Sequence, residues 1–209
     1  MIKHPSTGFV EAVSDKNSKN GLILMGIEAV LTGLYLYVLL QKIVSATMSG
    51  INSVFGTSRM AAQTPSLGGF FGYGIIIAII VSLVIATLVM GLMKAMAEAD
   101  INWFQSCQIA GMRSLGLSLG WILGILGLFL GMYQFAILII VVGGVLGMIY
   151  MIVAMMSYPN TKKDMIAYVV LITILVATFI SYFVLKEFVL SSLINNGGST
   201  TQIFLNNIL

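Results

Sequence analysis

Charged residues are scarce in this sequence, and their scarcity decides the class of protein. Only 8% of the 209 residues are Asp, Glu, Lys or Arg, whereas 59% are hydrophobic. Soluble domains carry about 25% charged residues, which help to cover their surface. We therefore expect an all-α integral membrane protein, built as a bundle of transmembrane helices in a lipid bilayer.

Cysteine and histidine are nearly absent, which excludes several kinds of site. Cys107 is the only cysteine, so the chain can form neither an internal disulfide nor a thiolate metal cluster. His4 is the only histidine and lies in the N-terminal tail, which leaves no H-E-x-x-H zinc site and no Ser–His dyad within the membrane. The sequence also has no phosphate-binding glycine loop and no basic face for nucleic acid. We predict a protein that is not an enzyme and that has no cofactor, no metal and no nucleic-acid partner.

Charge-free intervals are long enough for five transmembrane helices, since each crossing needs about 20 mainly apolar residues. The three prolines, Pro5, Pro65 and Pro159, lie outside these intervals, where they break no helix. A transmembrane domain is predicted over residues 21–190, with spans at about 21–41, 71–93, 114–130, 136–157 and 165–185 and a turn at 131–135. Because the third span is short and rich in glycine, four spans with a re-entrant third segment remain the alternative.

Lys and Arg are distributed unevenly between the two sides of this arrangement. Cytoplasmic loops retain basic residues, so the side with more of them is expected to be cytoplasmic. We predict a cytoplasmic N-terminus and an external C-terminus in a bacterial plasma membrane. One side holds Lys3, Lys16, Lys19, Lys94, Arg113, Lys162 and Lys163, and the other holds Lys42, Arg59 and Lys186.

Short amphipathic segments are expected at the membrane surface. Residues 1–20 mix apolar and polar side chains, which favours either a cytoplasmic interfacial helix or a loose tail. Residues 95–112 show a similar pattern, with Trp103 expected at the level of the lipid headgroups. Residues 191–209 are predicted to form an external tail. The cytoplasmic loops are predicted to present Lys94, Glu98, Asp100, Trp103, Arg113, Lys162 and Lys163.

Glycines recur in the third and fourth spans at the spacing of one helix face. Small residues four positions apart let two helix backbones approach closely in lipid. We expect the two spans to pack on each other through these faces, with a contact between copies of the chain or a hinge as the alternatives. The glycines are Gly116, Gly120, Gly124 and Gly127 in the third span and Gly143 and Gly147 in the fourth.

Glu28 is the one ionisable residue deep within a predicted span. A charged side chain at the centre of a bilayer costs roughly 3 kcal/mol, so Glu28 should face protein or be protonated. A proton or cation relay would need ionisable partners at the same depth, and the other predicted spans offer none. We therefore favour a structural carboxylate, with a relay as the alternative.

Three loose motifs resemble the Yip family of multi-span proteins that interact with Ypt/Rab GTPases. They are His4-Pro5 followed by Gly8-Phe9 before the first span, a polar amphipathic loop at 98–113, and Asn160-Thr161-Lys162-Lys163 before the last span. The resemblance covers nearly the whole chain. It implies five spans, a cytosolic N-terminus and a lumenal or external C-terminus.

The favoured function is that of a membrane organiser, a scaffold or subunit that binds other membrane proteins or further copies of itself. The alternative is a small permease or the membrane subunit of a transporter, with Glu28 in a polar path. The sequence does not identify a small-molecule substrate.

Overall fold

The computed structural model describes residues 18–55 and 68–196, which form five α-helices and no strand. All five helices are long and apolar enough to cross a membrane. The prediction of an all-α membrane protein with five transmembrane helices is therefore confirmed. The helices are α1 (Asn20–Phe55), α2 (Gly68–Ala95), α3 (Trp103–Phe129), α4 (Tyr133–Met156) and α5 (Lys163–Asn196).

The connections between α2 and α3 and between α4 and α5 lie together on one side of the bundle. The backbone N–H of Lys162 donates to the carbonyl of Ala97 at 3.1 Å. Lys94, in the last turn of α2, and Lys163, the first residue of α5, are also on this side, which we call the basic side. The turn between α3 and α4 lies on the opposite side.

Helix α3 begins at Trp103, eleven residues before the predicted third span. Its start is fixed by a capping box, in which the Asn102 side chain accepts from the Gln105 N–H at 2.9 Å and the Gln105 side chain accepts from the Asn102 N–H at 3.1 Å. The prediction of an interfacial segment over 95–112 was wrong for residues 103–112, which belong to α3. At 27 residues α3 is long enough to cross the membrane completely. This length favours a full third span over a re-entrant segment.

Other boundaries also differ from the sequence-based ones. Helix α1 continues to Phe55 and α5 to Asn196, because the polar residues after the apolar runs do not end either helix. The α3–α4 turn is shorter than predicted, since α4 starts at Tyr133, and Gly131 supplies its positive φ of 75°. Of the predicted terminal segments, residues 1–17 and 197–209 lie outside the described residues.

Helix α3 occupies the centre of the bundle, in contact with α1, α2 and α4. Glycines bring α3 and α4 together within the chain, which is the internal packing that their spacing favoured. A Cβ added to Gly116 would lie 2.6 Å from the Cα of Gly147, and one on Gly120 would lie 3.0 Å from the Cα of Gly143. Gly124 and Gly127 continue this contact against α4.

Helix α1 packs on α3 with the same closeness. A Cβ on Gly111 would lie 2.6 Å from the Cα of Gly21, so only glycine fits at this crossing. The contact places the start of α1 beside the first third of α3.

Along the outside of the bundle the exposed side chains are apolar, as lipid requires. Examples on α2, α4 and α5 are Ile76, Ile80, Val141, Val145, Leu171 and Leu175.

Candidate functional site

Glu28 lies on the protein-facing side of α1, where only 5% of its surface is exposed. It is eight residues beyond the start of the helix, which corresponds to about 12 Å along the axis. This depth is well inside an apolar layer about 30 Å thick. The carboxylate therefore lies among other helices, within the apolar length of the bundle.

Three side chains from two other helices bind the Glu28 carboxylate. The Nη2 of Arg113 donates to Glu28 Oε1 at 3.0 Å and lies 3.3 Å from Oε2. The hydroxyl of Ser82 donates to Oε2 at 3.2 Å, and the hydroxyl of Ser114 also donates to Oε2. Arg113 Nη2 lies 3.2 Å from Ser82 Oγ as well. We call these four residues the charged cluster; they tie α1, α2 and α3 together.

Arg113 was predicted to lie in a cytoplasmic loop, and this prediction was wrong. It lies ten residues beyond the start of α3, about 15 Å along the axis, and is only 7% exposed. The expectation that Glu28 has no charged partner within the membrane was wrong for the same reason. Because α3 starts earlier than the charge-free interval indicates, its arginine reaches the depth of Glu28.

Gly147 on α4 lies close to the backbone of Arg113. A Cβ at Gly147 would lie 3.4 Å from Cγ of Arg113 and 2.5 Å from its carbonyl oxygen. Because Gly147 has no side chain, the backbone of α4 lies next to the aliphatic part of the Arg113 side chain. On this evidence the α3–α4 glycine contact and the charged cluster form one packing unit.

Both carboxylate oxygens of Glu28 accept hydrogen bonds, and its charge is balanced by Arg113. A buried ion pair is costly to desolvate, and good geometry with additional hydrogen bonds can offset that cost. Here the two serines supply the additional bonds. The cluster can therefore hold three helices in register at a depth where bulk water offers no competing partner.

The remaining predicted loop residues lie on the basic side, where two connections dock on each other. The Tyr158 hydroxyl donates to the carbonyl of Asp100 at 2.5 Å and lies 3.0 Å from Gln105 Oε1. Glu98 forms an exposed ion pair with Lys162. The other lysines of this side, Lys94 and Lys163, are exposed, and Trp103 is half-buried at the first turn of α3.

Tyr158 has an altered acidity that follows from this environment. Burial raises the pKa of its phenol above the ordinary value of 10.0, and the negative charge of Asp100 acts in the same direction. Tyr158 is thus held neutral, as a donor that joins the two connections.

No group of three or more metal-ligating side chains occurs among the residues that the structure describes. Comparison with family models, with curated proteins and with solved structures finds no match. The resemblance to the Yip family therefore stays a prediction.

Sequence reasoning missed Ser82, Ser114 and the role of Arg113. One signal could have located them: Asn102 followed three residues later by Gln105 is a capping-box pattern, which predicts a helix start at Trp103. A start there puts Arg113 and Ser114 at the depth of Glu28. No comparable signal singles out Ser82, because its position depends on how α2 packs against α1.

Proposed function

We propose that this protein is a non-enzymatic membrane subunit or scaffold whose bundle is held rigid by the charged cluster. The observation that carries the proposal is that Arg113 donates to the Glu28 carboxylate and both Ser82 and Ser114 donate to its Oε2. A carboxylate that carries an ion needs coordination sites open to that ion. The donors around Glu28 are side chains of the same bundle, which favours a structural role.

The outer faces of the bundle provide the surfaces for such a role. They are apolar on α1, α2, α4 and α5, and a rigid bundle presents them to neighbouring membrane proteins in a fixed arrangement. The basic side adds exposed Lys94 and Lys163 next to the docked connections. We infer that partners, or further copies of this chain, bind through these surfaces and that the cytoplasm lies at the basic side.

A small permease is the second candidate, and the depth of the ion pair favours it. Ionisable residues within a membrane are rare and often mark ion or proton pathways. In this case Glu28 would exchange its partners during transport, and Arg113 would compensate its charge. The scaffold and the permease predict different effects of neutralising Glu28 and Arg113.

The test uses the purified protein and the variant Glu28→Gln/Arg113→Gln, which removes both charges and keeps the net charge of the chain. For a scaffold, partners that co-purify in mild detergent at a fixed ratio should bind the variant as they bind the original protein. Liposomes that contain either form should show the same ion and proton leak. Flux that the original protein supports and the variant lacks would contradict the scaffold and establish the permease.

A further inference from the structure

Three hydrogen-bond donors on α3 are buried and have no partner among the described residues. They are Nε of Arg113, Oγ of Ser118 and Nε1 of Trp121. Arg113 is 7% exposed and Ser118 is 9% exposed, whereas Trp121 is half-buried with its Nε1 atom shielded from the surface. The guanidinium Nε–H and the indole N–H can only donate, and each therefore requires an acceptor.

Ser118 and Trp121 lie on the face of α3 that packs against α1. The hydrogen bond between Ser114 and Glu28 marks this face at one level. Seven residues further along both helices, the rings of Tyr35 and Trp121 are in contact, with centroids 4.8 Å apart. Ser118 lies between these two levels, one helical turn from Ser114. We call this stretch of the α1–α3 contact, from Arg113 to Trp121, the seam; it is about 12 Å long.

Unpaired donors in such a place are energetically unfavourable. A buried donor without an acceptor costs roughly 1–3 kcal/mol, and more than about 90% of buried polar groups in proteins are paired. In a membrane no bulk water is available at this depth to relieve the cost. The two obligate donors, Arg113 Nε and Trp121 Nε1, therefore point to a bound group in the seam that accepts hydrogen bonds.

The charge of the surroundings identifies the acceptor. Glu28 and Arg113 compensate each other, so the seam provides no net charge for a bound ion. An anion would also be repelled by the carboxylate, and a cation by the guanidinium. Water carries no charge and both accepts and donates, which suits two obligate donors with a hydroxyl between them.

We propose that the seam binds a short chain of internal water molecules, which accept from Arg113 Nε–H and Trp121 Nε1–H and are linked through the Ser118 hydroxyl. The water chain connects the charged cluster with the part of α3 nearer the opposite side. Its presence does not depend on whether the protein is a scaffold or a permease. In a scaffold it completes the hydrogen bonding of the bundle, and in a permease it provides Glu28 with a hydrated neighbour.

Nuclear magnetic resonance of the full chain in detergent micelles tests directly whether the seam binds water. The sequence contains two tryptophans, Trp103 and Trp121, and two arginines, Arg59 and Arg113. The signals of Trp121 Nε1–H and Arg113 Nε–H can therefore be assigned with the variants Trp103→Phe and Arg59→Lys. The measurement is the cross-relaxation between each of these protons and water. We expect water cross-peaks at both Arg113 Nε–H and Trp121 Nε1–H.

Substitutions at Ser118 provide the matched comparison. Ser118→Val removes the hydroxyl and fills space, and it should weaken or remove the cross-peak at Trp121 while Trp103 is unaffected. Should Ser118→Val not fold, Ser118→Ala serves the same purpose, with a smaller loss expected. Absence of a water cross-peak at either Arg113 or Trp121 in the original protein would overturn the proposal. The seam would then be dry, with Ser118 turned to a backbone carbonyl of its own helix.

Discussion

Gly147 lies against Arg113 so closely that a Cβ on the glycine would be 2.5 Å from the arginine carbonyl oxygen. The contact links two features that are separate in the sequence, a glycine face on α4 and a charge on α3. The arginine whose backbone meets Gly147 is also the residue whose guanidinium binds Glu28. Packing and charge pairing in this bundle consequently depend on each other.

The first prediction follows from this contact. Gly147→Ala should destabilise the protein by about 1–3 kcal/mol, because overpacking forces α3 and α4 apart. Thermal unfolding in mild detergent measures the effect. Gly144→Ala is the control on the same helix, since its Cβ would meet only a Leu117 side-chain atom at 3.8 Å. Equal unfolding midpoints for the two variants would show that the α3–α4 contact is looser than described.

The second prediction concerns the hydroxyl of Tyr158. Tyr158→Phe should cost about 1–3 kcal/mol, because it leaves the carbonyl of Asp100 without this donor in a partly buried place. The loss should appear as a lower unfolding midpoint near pH 7. A variant as stable as the original protein would show that the two connections on the basic side dock without this bond.

The same hydroxyl predicts how stability depends on pH. Because the pKa of Tyr158 is raised in the folded protein, the folded state keeps its proton to higher pH than the unfolded state does. Its contribution is therefore complete below about pH 10 and declines as the pH rises above that value. The difference in unfolding free energy between the original protein and Tyr158→Phe should shrink above pH 10. A difference that stays constant or grows in alkaline solution would contradict the environment assigned to Tyr158.

The capping box gives a third prediction. Asn102→Ala should destabilise the protein by about 1 kcal/mol, because the Gln105 N–H loses its acceptor at the start of α3. Gln134→Ala is a matched control, since Gln134 is exposed and the N-cap of α4 makes no side-chain hydrogen bond. If both substitutions have the same small effect, the side chain of Asn102 does not fix where α3 begins.

Membrane topology gives a fourth prediction. Cys107 is 1% exposed and should not react with a membrane-impermeant thiol reagent, so single cysteines can be added to the original chain. With the basic side in the cytoplasm, Asn160→Cys should react only after cells are opened, whereas Gln134→Cys should react in intact cells. The reverse pattern would place the N-terminus outside and contradict the distribution of basic residues.

The number and type of helices could be predicted from the sequence, because long apolar runs have few alternatives in lipid. The ends of the helices could not be predicted in this way. A helix can continue past a charged residue when that residue has a partner, so the end of a charge-free interval does not mark the end of a helix. Arg113 shows this most clearly: it was assigned to a loop because it is charged, yet Glu28 compensates it inside the bundle. The polar residues that follow the apolar runs were also left out of the predicted spans, although α1 and α5 include them.

The candidate site was predicted in part. Glu28 stood out as the only acid within an apolar run, and its need for a protein environment followed from the cost of charge in lipid. Its partners come from α2 and α3, far away in the chain, and their meeting depends on how the helices cross. The glycine faces indicated that α3 and α4 pack closely. They did not indicate that this contact also includes the backbone of Arg113.

The double-mutant cycle of Glu28 and Arg113 is the most direct test of the charged cluster. Glu28→Gln and Arg113→Gln should each cost roughly 3–5 kcal/mol, since each leaves one buried charge uncompensated. The double variant should be more stable than the sum of the two losses predicts, by about 0.5–3 kcal/mol. The exposed pair provides the control, because Glu98→Gln and Lys162→Gln should each cost about 1 kcal/mol or less.

Chemical unfolding of these variants in the same mild detergent supplies the measurement. The account predicts strong coupling between Glu28 and Arg113 and little between Glu98 and Lys162. Losses at Glu28 and Arg113 that are small and simply add would contradict the account, because they would mean that the two residues do not form a buried ion pair in the membrane.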